Sequence, residues 1–346
     1  MFLLMAEAAM VYHALTEYFP DDLGHKIIEQ FHHHPWNGLR FWDLIQPFFM
    51  FIVGVAMPFS LRSRLKRGDT WNDAFRHILW RCMLLFLLGT GLHHVYNGHI
   101  VWELWNVLTQ LSFTILLTFL ILKLSWQKQL SVALFCLLLT EILYRIYDPS
   151  APFVKDQNFG SWMDLLLMGK INDGGGWVTI NCLPTAAHTI WGAMCGKLLM
   201  SDKADSKKIK YLLIASLIGL FIGYGLDILH ITPIVKRIST SSFVFASGGW
   251  CLLALAFFYW LVDVKGYKKW TLFFAIVGMN SIFIYIFGET IGVQWLGGFG
   301  KVFTHSIFGW LGFEEATINV LNGFFVLGMM WYLCYFLYRK KIFFKV

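Results

Sequence analysis

Long apolar segments alternate with short polar connections along most of this 346-residue chain. A helix needs about 20 mostly apolar residues to cross the hydrocarbon core of a bilayer. Segments of this kind predict an all-α fold, a polytopic transmembrane bundle of about ten helices. The predicted spans are residues 1–17, 43–61, 78–95, 105–124, 129–147, 177–200, 211–229, 241–263, 270–289 and 315–338. A further stretch, 291–312, is rich in Gly and Trp and contains Lys301 and His305, which indicates a re-entrant or interfacial segment.

The basic residues predict how these helices cross the membrane, because loops rich in Lys and Arg resist translocation. Every second predicted loop is basic. These loops carry Arg62, Arg64, Lys66 and Arg67; Lys123 and Lys128; Lys203, Lys207, Lys208 and Lys210; Lys265, Lys268 and Lys269; and Arg339, Lys340 and Lys341. The alternation places both termini in the cytoplasm and segments 18–42, 96–104, 148–176, 230–240 and 290–314 outside. Lys236 and Arg237 break the rule, since they lie on the predicted outer side.

Composition agrees with a membrane protein. Hydrophobic residues make up 57% of the chain and charged residues only 14%, whereas soluble domains carry about 25% charged residues. The formal charge of +7 is spread over separate loops, so nucleic acid is not expected as a partner. All six cysteines lie in apolar segments without metal-site spacing, which indicates packing residues. With no internal repeat or soluble segment, residues 1–346 are predicted to form one membrane domain.

Candidate chemistry gathers in the predicted outer segments. The first of them contains His32, His33 and His34, and Asp43 opens the next helix. A histidine beside a carboxylate is the common general base near neutral pH. The three histidines are equally compatible with solvent-exposed loop residues that have no catalytic role. A metal site is a third reading, but consecutive histidines do not all point at one ion.

Other polar and aromatic positions have two readings each. His188 lies in the middle of a predicted span, where an ionisable residue is either functional or bonded to a nearby carbonyl. Tryptophans at the outer ends can stack on sugars or form the interfacial belt. The cytoplasmic basic loops can bind the phosphates of a nucleotide cofactor, or can simply orient the helices.

Two linked motifs resemble a known family. The segment His33-His34-Pro35-Trp36-Asn37-Gly38, followed by the stretch from Asp43 to Gly54, is similar to the paired motifs of the heparan-alpha-glucosaminide N-acetyltransferase family and its bacterial relatives. There a His-x-x-Trp-x-Gly loop precedes Asp-Leu-x-Phe-Pro-x-Phe-x-Phe-x-x-Gly. The resemblance extends to 106–110, to 173–176, to Lys236 with 240–243, and to 278–280. Gln46 stands where the motif has Phe, Thr109 and Gln110 stand for Gln-Arg, and the Pro-Glu of Asp-Pro-Glu-Gly is missing at 174–175.

The resemblance implies a transmembrane acetyltransferase. Its expected donor is cytoplasmic acetyl-CoA, and its expected acceptor is an amino or hydroxyl group of an extracytoplasmic sugar or glycan; no metal is implied. His33 takes the place of the catalytic histidine, and Asp43 that of the acid in the motif. The positions implied to bind substrate or cofactor are Trp36, Asn37, Asn106, Gln110, Asp173, Lys236, Ser241 and Asn280. The expected location is a bacterial cytoplasmic (inner) membrane, with multiple passes through the bilayer.

Several alternatives stay open at this point. His33 either acts as a general base in direct transfer or carries the acyl group itself. A transporter or flippase for a glycan or lipid-linked sugar would use the same outer carboxylates and histidines. A non-catalytic scaffold is a third class, and a homodimer is one of the assemblies compatible with the sequence.

Overall fold

The computed structural model describes residues 1–20 and 23–344. Within these ranges the chain is helical, and the only β pairing is an isolated bridge between Asn37 and Val235. The all-α prediction is therefore confirmed. The α-helices of the described residues are α1 Phe2–Ala8, α2 Val11–Tyr18, α3 Leu23–Ile28, α4 Ile45–Lys66, α5 Trp71–Asn97, α6 Val107–Ile121, α7 Trp126–Tyr147, α8 Phe159–Met168, α9 Cys182–Leu199, α10 Asp205–Ile228, α11 Ser241–Phe258, α12 Thr271–Met279, α13 Ser281–Phe287, α14 Gly297–Trp310 and α15 Glu315–Arg339.

Seven helical segments of the described residues are long and apolar enough to cross a membrane. They are Phe41–Lys66, Trp71–Asn97, Trp126–Tyr147, Asp205–Ile228, Ser241–Val264, Ser281–Trp310 and Glu315–Arg339. Six of them coincide with predicted spans. The predicted count of about ten is not confirmed, and the placement of both termini in the cytoplasm stays a prediction.

The differences from the predicted spans have local causes. Segment 1–17 is two short helices, because the backbone at Met10 is left-handed, with φ of 60°. The predicted span 270–289 is interrupted at Asn280. The helical segment that follows runs from Ser281 to Trp310, so residues 291–312 do not form a separate re-entrant segment. A π-helical stretch, Gly288–Leu296, keeps this segment helical through its glycines.

Helix α9 covers the predicted span 177–200, but it is shorter and more polar than the seven. It contains Thr185, His188 and Thr189, all buried. Because its neighbours cover it, this helix does not need an apolar surface facing lipid. His188 Nε2 lies 2.9 Å from Ser247 Oγ on α11, so its partner is a side-chain hydroxyl on a neighbouring helix.

Contacts divide the chain into two compact units, Met1–His33 with Tyr267–Val346, and His34–Gly266. The single domain expected over residues 1–346 stays a prediction. In the first unit, α15 packs against α2 and α14. Asn322 of α15 donates to the carbonyl of Gly297 over 3.3 Å.

The second unit, His34–Gly266, packs its helices through small residues. Helices α4 and α9 lie so close that a Cβ at Gly54, Gly192 or Gly196 would collide with the backbone of the facing helix. Such approach lets backbones pack tightly where lipid provides no hydrophobic driving force. Helices α10 and α11 form a second close pair, in which Ser216 Oγ donates to the carbonyl of Gly249 over 2.8 Å.

Candidate active site

Asp43 holds together the loop that carries the histidine motif. Its carboxylate is 1% exposed and opens the turn Phe41–Leu44 ahead of α4. Its Oδ2 accepts hydrogen bonds from the backbone N–H of His34 over 3.2 Å and of Arg40 over 3.0 Å. Hydrogen bonds to a carboxylate are stronger than neutral ones. Asp43 therefore closes loop 34–43 on itself.

A second predicted outer segment joins this loop through Lys236. The Lys236 ammonium lies 3.6 Å from Asp43 Oδ1, and both residues are buried. The backbones also pair: Asn37 bridges Val235, and the N–H of Gly38 donates to the carbonyl of Ile234 over 2.8 Å. Two segments that lie about 200 residues apart in sequence thus meet at one place. The carboxylate also gives a physical reason for a lysine on the predicted outer side.

The tryptophan of the motif packs against a third predicted outer segment, 148–176. Trp36 Nε1 donates to the carbonyl of Phe153 over 3.0 Å. A Cβ at Gly176 would lie 2.8 Å from the Trp36 ring, so only glycine allows this approach. The Lys236 ammonium lies 5.4 Å from the centre of the Trp177 ring, within cation–π range. The glycine run at 174–176 therefore lies beside the motif loop.

The glycine of the motif has its own structural requirement. Gly38 has φ of 144°, in the region that side chains avoid. A Cβ there would lie 2.6 Å from His34 Nε2, inside contact distance. Glycine at this position therefore lets the His34 ring fold back over the loop.

Two departures from the family motif are in contact with each other. Gln46 and Gln110 each stand where the family has a different residue, and here Gln46 Nε2 donates to Gln110 Oε1. Gln110 is 2% exposed, so this bond satisfies a buried amide. Asn106 caps α6, its Oδ1 accepting from the N–H of Leu108 over 2.9 Å.

A second polar cluster was not identified from the sequence. Glu103 is buried, and its carboxylate lies 2.5 Å from His93 Nδ1 and 2.6 Å from Lys170 Nζ. Burial raises the pKa of Glu103, but hydrogen bonds from Lys170 and His93 outweigh it, so the net pKa lies below its usual range. The signal in the sequence was a histidine just before, and a glutamate near the end of, the short predicted outer loop 96–104.

Asp164 is buried on the short helix α8. Its Oδ2 accepts from Trp105 Nε1 over 2.7 Å, and its carboxylate also accepts from the N–H of Thr179. Burial raises the pKa of this carboxyl, against the hydrogen bonds from Trp105 and Thr179. These bonds connect α8 to the segments that precede α6 and α9.

Ser241 belongs to another network that sequence reasoning missed. Glu141 on α7 pairs with Arg145 at 2.7 Å and accepts from Ser241 Oγ over 2.9 Å and from Thr232 Oγ1 over 2.7 Å. Opposite charges four residues apart inside a predicted span were the available signal, because isolated charges in a membrane are costly. The network joins α7 to the start of α11.

The structure thus brings Trp36, Asn37, Asp43 and Lys236 together within the unit His34–Gly266. Asp173 is exposed, in the turn that leads to Gly176. Asn280 belongs to the other unit, where its amide bonds the backbone of Ile342 and Phe344. His33 is half-buried and ends the first segment of that unit. The described ranges contain no group of three or more His, Cys, Asp or Glu placed to hold a metal ion.

Comparison with known proteins gives consistent matches. A family model described as heparan-alpha-glucosaminide N-acetyltransferase, catalytic, matches residues 9–231. The human protein named heparan-alpha-glucosaminide N-acetyltransferase is 26% identical over 387 aligned residues, covering 91% of this chain and 56% of the human one. The mouse protein of the same name is 24% identical over 384 residues, with the same coverage. The chain spans about half the length of the curated relatives it matches.

Proposed function

This chain belongs to the heparan-alpha-glucosaminide N-acetyltransferase family, and from that premise we propose that it is a membrane enzyme that transfers an acetyl group. The donor is acetyl-CoA on the cytoplasmic side. The acceptor is an amino or hydroxyl group of an extracytoplasmic sugar or glycan. The bilayer is the bacterial cytoplasmic membrane, as the resemblance implies.

The observation that carries this proposal is the convergence on Asp43. The motif loop and the segment with Lys236 come from distant parts of the chain, yet they share one buried ion pair and one stretch of paired backbone. A buried ion pair is costly to build and is weak evidence for stability alone. Fixed charges in a water-poor site are, in contrast, what acyl transfer uses to stabilise developing negative charge.

In the proposed mechanism, His33 takes the proton from the sugar amine or hydroxyl as that group attacks the thioester carbonyl. Acetyl-CoA supplies the activated acetyl group. Lys236 and Asn37, which lie in the unit His34–Gly266 with Asp43, stabilise the oxyanion. The imidazolium of His33 then returns the proton to the departing thiolate. Asp43, bonded to two backbone N–H groups, positions the loop. An acyl group carried on His33 is the other route.

The predicted cytoplasmic side of the unit His34–Gly266 suits the phosphates of the donor. An open groove of about 440 Å³ lies between α4, the end of α6 and α9. Its cations are Arg62, Lys66 and Lys197, and its apolar wall includes Pro58 and Leu122. Arginine and lysine at such a mouth are typical phosphate partners. This groove is the proposed docking place for the nucleotide end of acetyl-CoA.

The test is transfer of labelled acetyl from acetyl-CoA to a panel of amino sugars by the purified, detergent-solubilised protein. We expect His33→Ala to lose transfer by at least about 100-fold, the usual contribution of a general base. The matched control is His99→Ala, an exposed histidine of another predicted outer loop, which should keep native activity.

Two results would contradict the proposal. One is equal transfer by His33→Ala and native protein, with both variants folded. The other is sugar or glycan transport in vesicles that neither needs nor consumes acetyl-CoA, which would favour the transporter alternative.

A further inference from the structure

A second cavity lies between α4, α5 and α6, apart from the site around Asp43. It encloses about 210 Å³. Its walls are mostly apolar and include Ile52, Val53, Ala56, Met57, Ile78 and Phe119. An apolar cavity of about 150 Å³ in a protein stays dry and takes up hydrocarbon. This cavity is therefore suited to an apolar chain.

Two arginines line the same cavity. Arg64 lies near the end of α4 and Arg81 on α5. Arg81 is ten residues beyond the start of α5, about 15 Å along the helix. It falls inside the predicted span 78–95. A cation at this depth is costly unless it has a partner, and it indicates a binding role by default.

Among the described residues, only one of these two arginines has a carboxylate partner. Arg64 pairs with Asp69 at 3.2 Å. Over residues 1–20 and 23–344, no carboxylate lies within ion-pair distance of Arg81, and its buried Nε makes no hydrogen bond. His77, one turn earlier on α5, interacts electrostatically with both arginines. The mouth of an apolar cavity thus carries excess positive charge.

We infer that this cavity binds an anionic phospholipid, with its phosphate against Arg81 and Arg64 and one acyl chain between α4, α5 and α6. Guanidinium groups suit phosphate because they donate in a fixed fork. Basic pockets between membrane helices on the cytoplasmic side bind anionic headgroups, and loop 62–77 is predicted to be cytoplasmic. The lining favours lipid over acetyl-CoA, because the pantetheine amides would find only the Ser60 hydroxyl and the two arginines as polar partners.

The test is native mass spectrometry of the purified full chain with phosphatidylglycerol and with phosphatidylcholine of the same acyl chains. We expect a one-to-one phosphatidylglycerol adduct. Arg81→Gln should weaken it by about tenfold or more, since a hydrogen bond to a charged group is lost. Arg76→Gln is the matched control, because it removes the same charge from an exposed position on the same helix.

A second variant tests the acyl chain and leaves the charges in place. Ala56→Phe fills the cavity and should release phosphatidylglycerol, whereas Leu138→Phe on the exposed face of α7 should not. Thermal unfolding checks that each variant is folded. The inference is wrong if both lipids bind equally, if Arg76→Gln weakens the adduct as much as Arg81→Gln, or if Ala56→Phe retains it. Stoichiometric displacement of the lipid by acetyl-CoA would assign the cavity to the donor and overturn the inference. This experiment measures lipid binding and not acetyl transfer. A negative result would therefore contradict the lipid site without contradicting the proposed transferase activity.

Discussion

The ion pair between Lys236 and Asp43 offers the sharpest test of how the motif loop is held. We consider replacing Lys236 with Met, which keeps most of the length of the side chain and removes its charge. At an effective dielectric constant near 20, unit charges 3.6 Å apart attract by about 5 kcal/mol. Desolvation of two buried groups offsets much of this attraction.

Breaking a buried pair by removing one partner costs about 3 kcal/mol or more, because a buried charge keeps its desolvation penalty. Asp43 retains the hydrogen bonds from His34 and Arg40 after the change. We therefore expect Lys236→Met to lower the free energy of unfolding by about 3 kcal/mol, at the low end of that range. Asp43→Asn should have a similar effect, since it leaves the Lys236 ammonium beside a neutral amide.

The double variant distinguishes the energy of this ion pair from other destabilising effects of the two substitutions. Asp43→Asn with Lys236→Met should lose less than the sum of the single changes, by about 2 kcal/mol. The assay is denaturant titration of the solubilised protein followed by tryptophan fluorescence. Lys207→Met, at an exposed lysine, should change stability by less than about 0.5 kcal/mol. Strictly additive losses would refute the reasoning, because they would mean that the two charges do not stabilise each other.

Two further predictions concern the outer segments. The pKa of Glu103 is lowered in the folded protein by Lys170 and His93, despite its burial. Ionised Glu103 therefore stabilises the folded protein fully at pH values above its pKa in the unfolded chain, and this stabilisation is lost as the pH falls through its pKa in the folded protein. When the pH is lowered below about 4.5, the melting temperature should therefore fall, and Glu103→Gln should reduce that fall. If the melting temperature of the variant depends on acidic pH as it does in the native protein, Glu103 is not the group responsible. Gly38→Ala should reduce stability by about 1–3 kcal/mol, since its φ of 144° is strained for alanine and its Cβ would press on His34. Gly68→Ala, also at positive φ but with open space around it, is the control; an equal loss in both variants would show that the His34 contact is irrelevant.

The sequence predicted the long, strongly apolar spans well. Helices α4, α5, α7, α10, α11 and α15 all overlap their predicted ranges, with ends that differ by up to seven residues. Hydropathy did not predict the helix boundaries where a single residue interrupts an apolar segment. The left-handed backbone at Met10 divides one predicted span, and the interruption at Asn280 shifts another. Neither Met nor Asn excludes a helix, so the residue types did not indicate these interruptions.

Within the candidate site, the motif residues were identifiable but their partners were not. Asp43, Trp36 and Lys236 were singled out from their sequence pattern alone. The bonds from Asp43 to the backbone N–H of His34 and Arg40 depend on the path of the loop, which side-chain types do not encode. The role of Gly38 in admitting the His34 ring was likewise invisible before the loop was placed.

Membrane class, helical fold and family follow from the sequence by itself, since apolar length, charge alternation and short motifs are properties of neighbouring residues. Only the tertiary structure decided that Lys236 faces Asp43, that Gln46 bonds Gln110, and that Arg81 borders an apolar cavity. Each of these contacts joins different helices or loops. Their geometry depends on how whole helices pack, because a side chain a few ångströms out of place makes no hydrogen bond.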